Sequence, residues 1–191
     1  MGKRAIFLDR DGVINIDHAY VHTIEEFHWV EGVKEACAQL TQDGWTLAIV
    51  TNQSGIGRGY YTEQAFQELS QWMCAEFEKA GAHIAGVYFC PHHPEKAHPP
   101  YLQQCQCRKP APGLIYQAAK ELNLDLSSSI LFGDKPSDLE AAHRAGCAER
   151  VLLGTDGLAT PEPHPLATAC FASLAQAVAS PWYHRFMEQL S

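Results

Sequence analysis

Short runs of apolar, β-prone residues recur along the chain, and segments with helical periodicity lie between most of them. The runs predicted as strands cover residues 5–8, 45–50, 84–89, 129–132 and 151–153, with a short edge strand at 170–172. The predicted helices cover residues 32–40, 62–81, 112–122, 139–145 and 174–179. Alternation of strand and helix predicts an α/β fold built on a doubly wound, mostly parallel sheet.

The length of the chain and the spacing of these elements predict one domain. With 191 residues, of which 46% are hydrophobic and 19% charged, the chain is typical of a globular protein with a full core. The first four predicted strands begin about 40 residues apart, which leaves no interval with room for a separate cap domain. We therefore expect a single domain over residues 1–191.

Charge and hydropathy exclude several classes of function. A net charge of −8 argues against a nucleic-acid-binding protein, which usually has a basic face. No run approaches the ~20 apolar residues that span a bilayer, and no apolar segment typical of a signal peptide precedes the first polar motif. We therefore expect a cytoplasmic protein, whose seven cysteines are core thiols or metal ligands and not disulfides.

The first predicted strand runs directly into two carboxylates and a glycine, Asp9-Arg10-Asp11-Gly12. Residues two apart at the end of a strand can point to the same side, so Asp9 and Asp11 can meet at one site. A close acid pair indicates a bound cation or divided acid and base roles. Taken alone, the same residues also fit an ordinary Asp-Gly turn.

Two further polar motifs follow predicted strands, and parallel strands bring their carboxyl ends to one edge of the sheet. Thr51 follows the second strand and begins a stretch of amides and glycines whose exposed backbone N–H groups can bind a phosphate. Asp134 follows the fourth strand. Asp9 and Asp134 offer the oxygen ligands that Mg²⁺ prefers. Thr51 and Lys109 offer a hydroxyl and a cation to the oxygens of a transferring phosphoryl group.

These residue types together predict phosphoryl transfer through a covalent intermediate. Asp9 attacks phosphorus to give an aspartyl-phosphate. Asp11 protonates the leaving oxygen and then takes a proton from the hydrolytic water. The chain lacks the GxxxxGK[ST] motif, which argues against a P-loop nucleotide hydrolase.

A proline- and histidine-rich loop carries four soft metal ligands, Cys90, His92, Cys105 and Cys107. This set suits tetrahedral Zn²⁺ and leaves no open coordination position for chemistry. We therefore predict a structural zinc site in loop 90–107. His93 and His98 are alternative ligands that fit surface positions better, and a redox or sensor role for the cysteines is a further alternative.

Four motifs, in this order along the chain, resemble those of the haloacid dehalogenase (HAD) superfamily of phosphotransferases, within its histidinol-phosphatase-like subgroup. They are Asp9-Arg10-Asp11-Gly12, Thr51-Asn52-Gln53, Arg108-Lys109-Pro110 and Gly133-Asp134-Lys135. The resemblance implies a Rossmann-like core, Asp9 as nucleophile and Asp11 as general acid/base, with Thr51 and Lys109 stabilising the phosphoryl group. It implies Mg²⁺ bound by the side chains of Asp9 and Asp134 and by the backbone carbonyl of Asp11.

The same resemblance implies a small-molecule sugar bisphosphate as substrate. We expect a monomer that, as its charge and hydropathy indicate, binds neither nucleic acid nor membrane. Arg108 would recognise the distal phosphate. The other residues implied to line the substrate site are Asp17, His18, Ala19, Tyr20, Asn52, Gln53, Ser54 and Lys135. Histidinol phosphate is the rival substrate, and the loop with Asp17, Tyr20 and His22 favours the sugar bisphosphate. A non-catalytic, metal-stabilised binding module is a rival of another class, which would have no need of Asp11 beside Asp9.

Overall fold

A computed structural model of the chain describes residues 2–189, which form a six-stranded sheet covered by helices. The strands, in chain order, are β1 (Ala5–Leu8), β2 (Thr46–Asn52), β3 (Ile84–Cys90), β4 (Ile130–Gly133), β5 (Glu149–Leu153) and β6 (Ala169–Phe171). Their order in the sheet is β3-β2-β1-β4-β5-β6, and every pair is parallel. The predicted α/β class is confirmed. Thr51 lies inside β2 and not after it, because this strand extends two residues further than predicted.

The helices include all five that the sequence pattern predicts and two that it missed. They are α1 (Val33–Gln42), α2 (Ser54–Gly57), α3 (Glu63–Lys79), α4 (Gly113–Leu122), α5 (Pro136–Ala145), α6 (Leu174–Val178) and α7 (Pro181–Gln189). The prediction missed α2, which is a single turn with two glycines, and α7, whose buried Tyr183 and Phe186 have helical spacing. Among residues 2–189, no helix combines the length and apolar character needed to cross a bilayer.

The helices bury both faces of the sheet. Along β1, Ile6 and Leu8 join a core that includes side chains of α1, α3, α6 and α7, whereas Ala5 and Phe7 join a core with α4 and α5. All four residues are fully buried, which explains why the strand is a continuous apolar run and does not alternate with polar residues. The result is a three-layer sandwich with the sheet in the middle.

The order of the strands reverses at β1, which lies between β2 and β4. In such a sheet, the connections from neighbouring strands leave in opposite directions at this point and open a crevice at the carboxyl edge. The residues that follow β1 and β4, together with the last residues of β2, therefore surround one crevice.

Candidate active site

A cavity of about 560 Å³ lies at this crevice. Most of the predicted site residues line it, namely Asp9, Asp11, Asp17, Ala19, Tyr20, Asn52, Gln53, Ser54, Arg108, Lys109 and Lys135. Thr51 and Asp134 are buried beside Asp9 and its neighbours but are not among the lining residues, and neither is His18. The lining also includes Gly55, Tyr61, Pro110, Ser137 and Asp138, which the sequence prediction did not assign to the site.

The buried ammonium of Lys109 joins two carboxylates at the base of the cavity. Its Nζ lies 2.9 Å from Asp9 Oδ1 and 2.6 Å from Asp138 Oδ1, and it donates a hydrogen bond of 2.8 Å to the carbonyl of Val50. The other oxygen of Asp138 accepts a hydrogen bond of 3.0 Å from the backbone N–H of Lys135. Asp138 thus fixes the Lys109 ammonium, and its position four residues after Asp134, in the first turn of α5, is the signal that could have identified it.

Burial controls the protonation of this cluster. Burial raises the pKa of Asp9 to about 7, with Lys109 opposing the shift and the nearby carboxylates of Asp138 and Asp134 adding to it. Burial by itself lowers the pKa of Lys109, but the charges of Asp138 and Asp9 outweigh burial and hold that pKa above its usual value. Lys109 is therefore a permanent cation, and further positive charge near Asp9 would favour its ionised, nucleophilic form.

The side chain of Asn52 fixes the backbone of Lys109 from the end of β2. Its Nδ2 donates to the Lys109 carbonyl over 3.1 Å, and its Oδ1 accepts from the Lys109 N–H over 3.0 Å. Asn52 also lines the cavity, and its predicted contact with a substrate stays a prediction. The paired hydrogen bonds set where the loop that carries Lys109 enters the cavity.

The carboxylate of Asp11 is held by three donors. Its Oδ1 accepts from Arg10 Nη2 over 2.8 Å and from Asn15 Nδ2 over 3.0 Å, and its Oδ2 accepts from Gln53 Nε2 over 3.0 Å. Burial opposes ionisation, but Arg10 and the hydrogen bonds outweigh it and lower the pKa of Asp11. Arg10 and Asn15 contact the predicted general acid/base but were not among the predicted site residues, because the sequence pattern does not reveal these contacts.

A buried amide, that of Gln53, links Asp11 to the hydroxyl of Thr51. Gln53 Nε2 donates to both Asp11 and Thr51 Oγ1, the latter over 2.9 Å. The hydroxyl of Tyr61 donates to Gln53 Oε1 over 2.5 Å, which fixes the orientation of the amide. Gln53 therefore fixes the position of the Thr51 hydroxyl relative to the Asp11 carboxylate.

The oxygen atoms of Asp9, Asp134 and Asp138 form a group that fits a cation. One oxygen of each lies within 4.8 Å of the others. Asp134 Oδ1 is buried and has no hydrogen-bond partner among residues 2–189, and burial raises the pKa of this residue to about 6. Both oxygens of Asp138 already have partners, Lys109 Nζ and the N–H of Lys135, so the donors that remain for a hard divalent cation are Asp9 and Asp134.

Gly12 allows this group to assemble. Its φ of +89° favours glycine, and a Cβ there would lie 2.3 Å from Asp134 Oδ2. The backbone after Asp11 thus approaches the Asp134 carboxylate more closely than a side chain would permit.

The four predicted zinc ligands converge at the far side of the Arg108-Lys109 segment. Cys107 Sγ lies 3.0 Å from Cys90 Sγ and 3.3 Å from His92 Nδ1, and Cys90 Sγ lies 3.5 Å from Cys105 Sγ. All four ligand atoms lie within 4.8 Å of one another. Zn–S bonds of about 2.3 Å place tetrahedral ligands about 3.8 Å apart, so the residue types are those of a tetrahedral zinc site and the ligand atoms lie slightly closer together than in one.

The predicted substrate loop, residues 17–22, forms one wall of the cavity. Asp17 Oδ2 lies 3.2 Å from Lys135 Nζ, and the ring of Tyr20 packs edge-on against Tyr60 at 4.7 Å between centroids. His18 instead hydrogen-bonds to His28 over 2.9 Å on the protein surface. Arg108 closes another side of the cavity, and its Nη1 lies 3.4 Å from the carbonyl of His92.

The site has the arrangement predicted for the haloacid dehalogenase class. A buried carboxylate follows β1, a second carboxylate lies two residues later, and a buried lysine and an acid after β4 lie beside them. In agreement, the HAD-hydrolase-like family model matches residues 106–177.

The chain is similar along most of its length to curated bacterial enzymes of one name. It is 48% identical over 179 residues to D-glycero-beta-D-manno-heptose-1,7-bisphosphate 7-phosphatase of Haemophilus ducreyi, with 93% of this chain and 98% of the relative covered. It is 43% identical over 171 residues to the enzyme of that name from Escherichia coli K12, with 90% of each covered. A crystal structure of D,D-heptose 1,7-bisphosphate phosphatase from B. bronchiseptica, complexed with magnesium and phosphate, is 31% identical. It aligns with a TM-score of 0.80 over 97% of this chain and 99% of that one. The chain belongs to the heptose 1,7-bisphosphate 7-phosphatase family.

Proposed function

We propose that this protein is a Mg²⁺-dependent phosphatase that removes the C7 phosphate of D-glycero-D-manno-heptose 1,7-bisphosphate and leaves the C1 phosphate. The observation that carries the proposal is the cavity shared by Asp9 and Asp11, with Lys109 Nζ 2.9 Å from Asp9 Oδ1. The names of the relatives support this substrate, and specifically its β anomer. The product would serve the synthesis of nucleotide-activated heptose for lipopolysaccharide.

In the first step, a carboxylate oxygen of Asp9 attacks the C7 phosphorus and the bond from phosphorus to the sugar oxygen breaks. Asp11 donates a proton to that leaving oxygen, and heptose 1-phosphate departs. Lys109 and the hydroxyl of Thr51 stabilise the charge on the phosphoryl oxygens. Proton transfer of this kind contributes about 10²–10⁴-fold in rate.

In the second step, water attacks the phosphorus of the aspartyl-phosphate and Asp11 accepts a proton from that water. The bond between phosphorus and the Asp9 oxygen breaks, which releases inorganic phosphate and restores the nucleophile. The three donors on Asp11, from Arg10, Asn15 and Gln53, favour its ionised form and so suit this base role.

Two metals complete the proposal. The side chains of Asp9 and Asp134 and the backbone carbonyl of Asp11 would hold Mg²⁺, which supplies positive charge next to the reacting phosphate when bound. The unpaired, buried Asp134 Oδ1 supports this assignment. Zn²⁺ would occupy the Cys90, His92, Cys105 and Cys107 cluster and stabilise loop 90–107 without taking part in the reaction.

We further propose that the enzyme acts as a cytoplasmic monomer of one domain on a small-molecule substrate. The support is the continuous sheet across residues 5–171, into which no second unit is inserted between the described residues 2 and 189. A site walled by loops and not by a cap domain suits substrates of varied size, so slower hydrolysis of other sugar phosphates is consistent with it.

A comparison of substrates tests the proposed function. With Mg²⁺ present, we expect kcat/KM for heptose 1,7-bisphosphate to exceed those for histidinol phosphate and fructose 1,6-bisphosphate, with loss of activity in excess EDTA. ³¹P NMR of the heptose reaction should show that the C1 phosphate persists. A preference for histidinol phosphate would reject the proposed substrate and favour histidinol-phosphate phosphatase.

Arg108 gives a sharper test of how the second phosphate is recognised. Because a hydrogen bond to a charged group contributes about 1.5–3 kcal/mol, we expect Arg108→Ala to lower kcat/KM for the bisphosphate by about 10–100-fold. Hydrolysis of p-nitrophenyl phosphate, which has no second phosphate, should change little. Arg108→Lys should show an intermediate loss, since it keeps the charge but not the planar fork. An equal loss on both substrates would contradict a role in binding the distal phosphate.

A further inference from the structure

A turn outside the recognised motifs contacts three parts of the active site. It covers Thr155–Gly157 and follows β5, in a stretch that the sequence analysis treated without assigning any function. Its residues hydrogen-bond to the Asp134 carboxylate, to the carbonyl of Gly12 and to the N–H of Asp17. These three partners belong to the candidate cation site, the catalytic loop and the substrate loop, respectively.

The hydroxyl of Thr155 selects between the two oxygens of Asp134. Thr155 Oγ1 donates to Asp134 Oδ2 over 3.2 Å, whereas Asp134 Oδ1 is buried with no hydrogen-bond partner among residues 2–189. Gly12 packs against the same Oδ2 atom and limits its movement. The carboxylate is therefore fixed through one oxygen, and the other remains available to a cation.

Asp156 joins the substrate loop to the catalytic loop. Its backbone N–H donates to the Gly12 carbonyl over 3.0 Å, and its Oδ1 accepts from the N–H of Asp17 over 2.8 Å. Asp17 is the first residue of the substrate loop and also pairs with Lys135. Asp156 has a φ of +62°, a conformation that aspartate and asparagine tolerate better than most side chains.

We propose that Thr155 and Asp156 are positioning residues of this active site: Thr155 orients the Asp134 carboxylate for the metal, and Asp156 anchors the substrate loop at Asp17. This inference rests on the proposed function, because the substrate and the metal are those of the phosphatase. It predicts that the two neighbouring residues affect different steps, the first metal binding and the second substrate binding.

Matched variants at Thr155 test the first half by calorimetric titration of the purified protein with Mg²⁺ alone. Partners that orient a metal ligand typically contribute 10–100-fold to metal affinity. We expect the dissociation constant for Mg²⁺ to rise about tenfold or more in Thr155→Val and to stay within about twofold in Thr155→Ser, which keeps the hydroxyl. Because Thr155 is exposed, the stability of both variants should remain near that of the wild type. Wild-type affinity in Thr155→Val would overturn its role.

Matched variants at Asp156 test the second half by steady-state kinetics. Asp156→Gly accepts the positive φ but removes the acceptor for Asp17, whereas Asp156→Asn keeps an acceptor oxygen. A net hydrogen-bond contribution of about 0.5–1.5 kcal/mol corresponds to a rise in KM for the bisphosphate of about 2–10-fold in Asp156→Gly, with rescue in Asp156→Asn. The Mg²⁺ affinity and KM for p-nitrophenyl phosphate should not change.

The outcomes separate this inference from the proposed function. An unchanged KM in Asp156→Gly would overturn the positioning role of Asp156. A Mg²⁺ affinity that falls equally in Asp156→Gly and Thr155→Val would show that both residues have only a general structural role. Failure of the wild type to prefer the heptose bisphosphate would instead reject the proposed substrate. The calorimetric comparison at Thr155 needs no substrate and stands in either case.

Discussion

Asp9→Asn is expected to lower turnover by roughly 10⁴-fold or more, because the amide can neither attack phosphorus nor form an acyl phosphate. The fold should survive, since asparagine has the same shape and Lys109 keeps its ion pair with Asp138 and its hydrogen bond to Val50. Steady-state hydrolysis and circular dichroism measure the two results. Activity within tenfold of the wild type would exclude Asp9 as nucleophile.

We also expect Asp9→Asn to be at least as stable as the wild type above neutral pH. The folded protein raises the pKa of Asp9 from 3.8 to about 7, so its ionised form is less favourable in the folded than in the unfolded chain. The resulting cost to stability grows as the pH rises from about 4 to about 7 and is constant above that range. At pH 8 without added metal, the variant should therefore unfold at the same or a higher temperature than the wild type. Asp125→Asn, at the N-cap of the short 3₁₀ helix Leu126–Ser128 and outside the cavity lining, is the matched control and should retain full turnover.

Cys105→Ser is expected to abolish stoichiometric zinc binding and to destabilise the protein. Loss of a structural metal typically lowers the free energy of unfolding by about 4 kcal/mol or more. For a chain of this size, each kcal/mol of lost stability lowers the Tm by about 2–4 °C. We therefore expect Tm to fall by about 10 °C or more. Elemental analysis of the purified wild type should find about one zinc per chain.

Cys170→Ser is the matched control for the zinc ligand. Cys170 is a half-buried thiol on β6, outside the ligand cluster. Its replacement should leave the zinc content unchanged and lower the Tm by much less than Cys105→Ser does. A wild type that is folded and active without zinc would contradict the structural role. Thiols of Cys90 and Cys107 that react freely without any loss of metal would favour the redox or sensor alternative.

The sequence was sufficient to predict the α/β architecture and the grouping of Asp9, Thr51 and Asp134 in the candidate site, because both depend on short sequence patterns. Continuous apolar runs such as residues 5–8 occur in strands buried on both faces, and regular helical spacing separates them. Once the sheet is parallel, topology alone brings Asp9, Thr51 and Asp134 to one edge. Most of the site therefore follows from strand order and not from details of packing.

The residues that the sequence analysis missed depend on contacts between distant segments. Arg10 and Asn15 act through the orientation of Asp11, and Asp138 acts through Lys109, which is 29 residues earlier in the chain. His18 was assigned to the substrate loop by its position, but a hydrogen bond to His28 holds its ring outside the cavity lining. Periodicity and motif spacing contain no information on such side-chain pairings.

The short connection between Cys107 and Lys109 has a consequence for engineering. The peptide that leaves the proposed zinc site at Cys107 reaches Lys109, the proposed catalytic cation, within two residues, and Asn52 hydrogen-bonds to the backbone of Lys109. An insertion or deletion after Cys107 would shift the reacting centre directly. Residues 102–104 are exposed, but Gln103 and Gln104 line a surface pocket together with Arg108 and Lys109, so a tag or a graft placed there would also disturb the segment that carries Lys109.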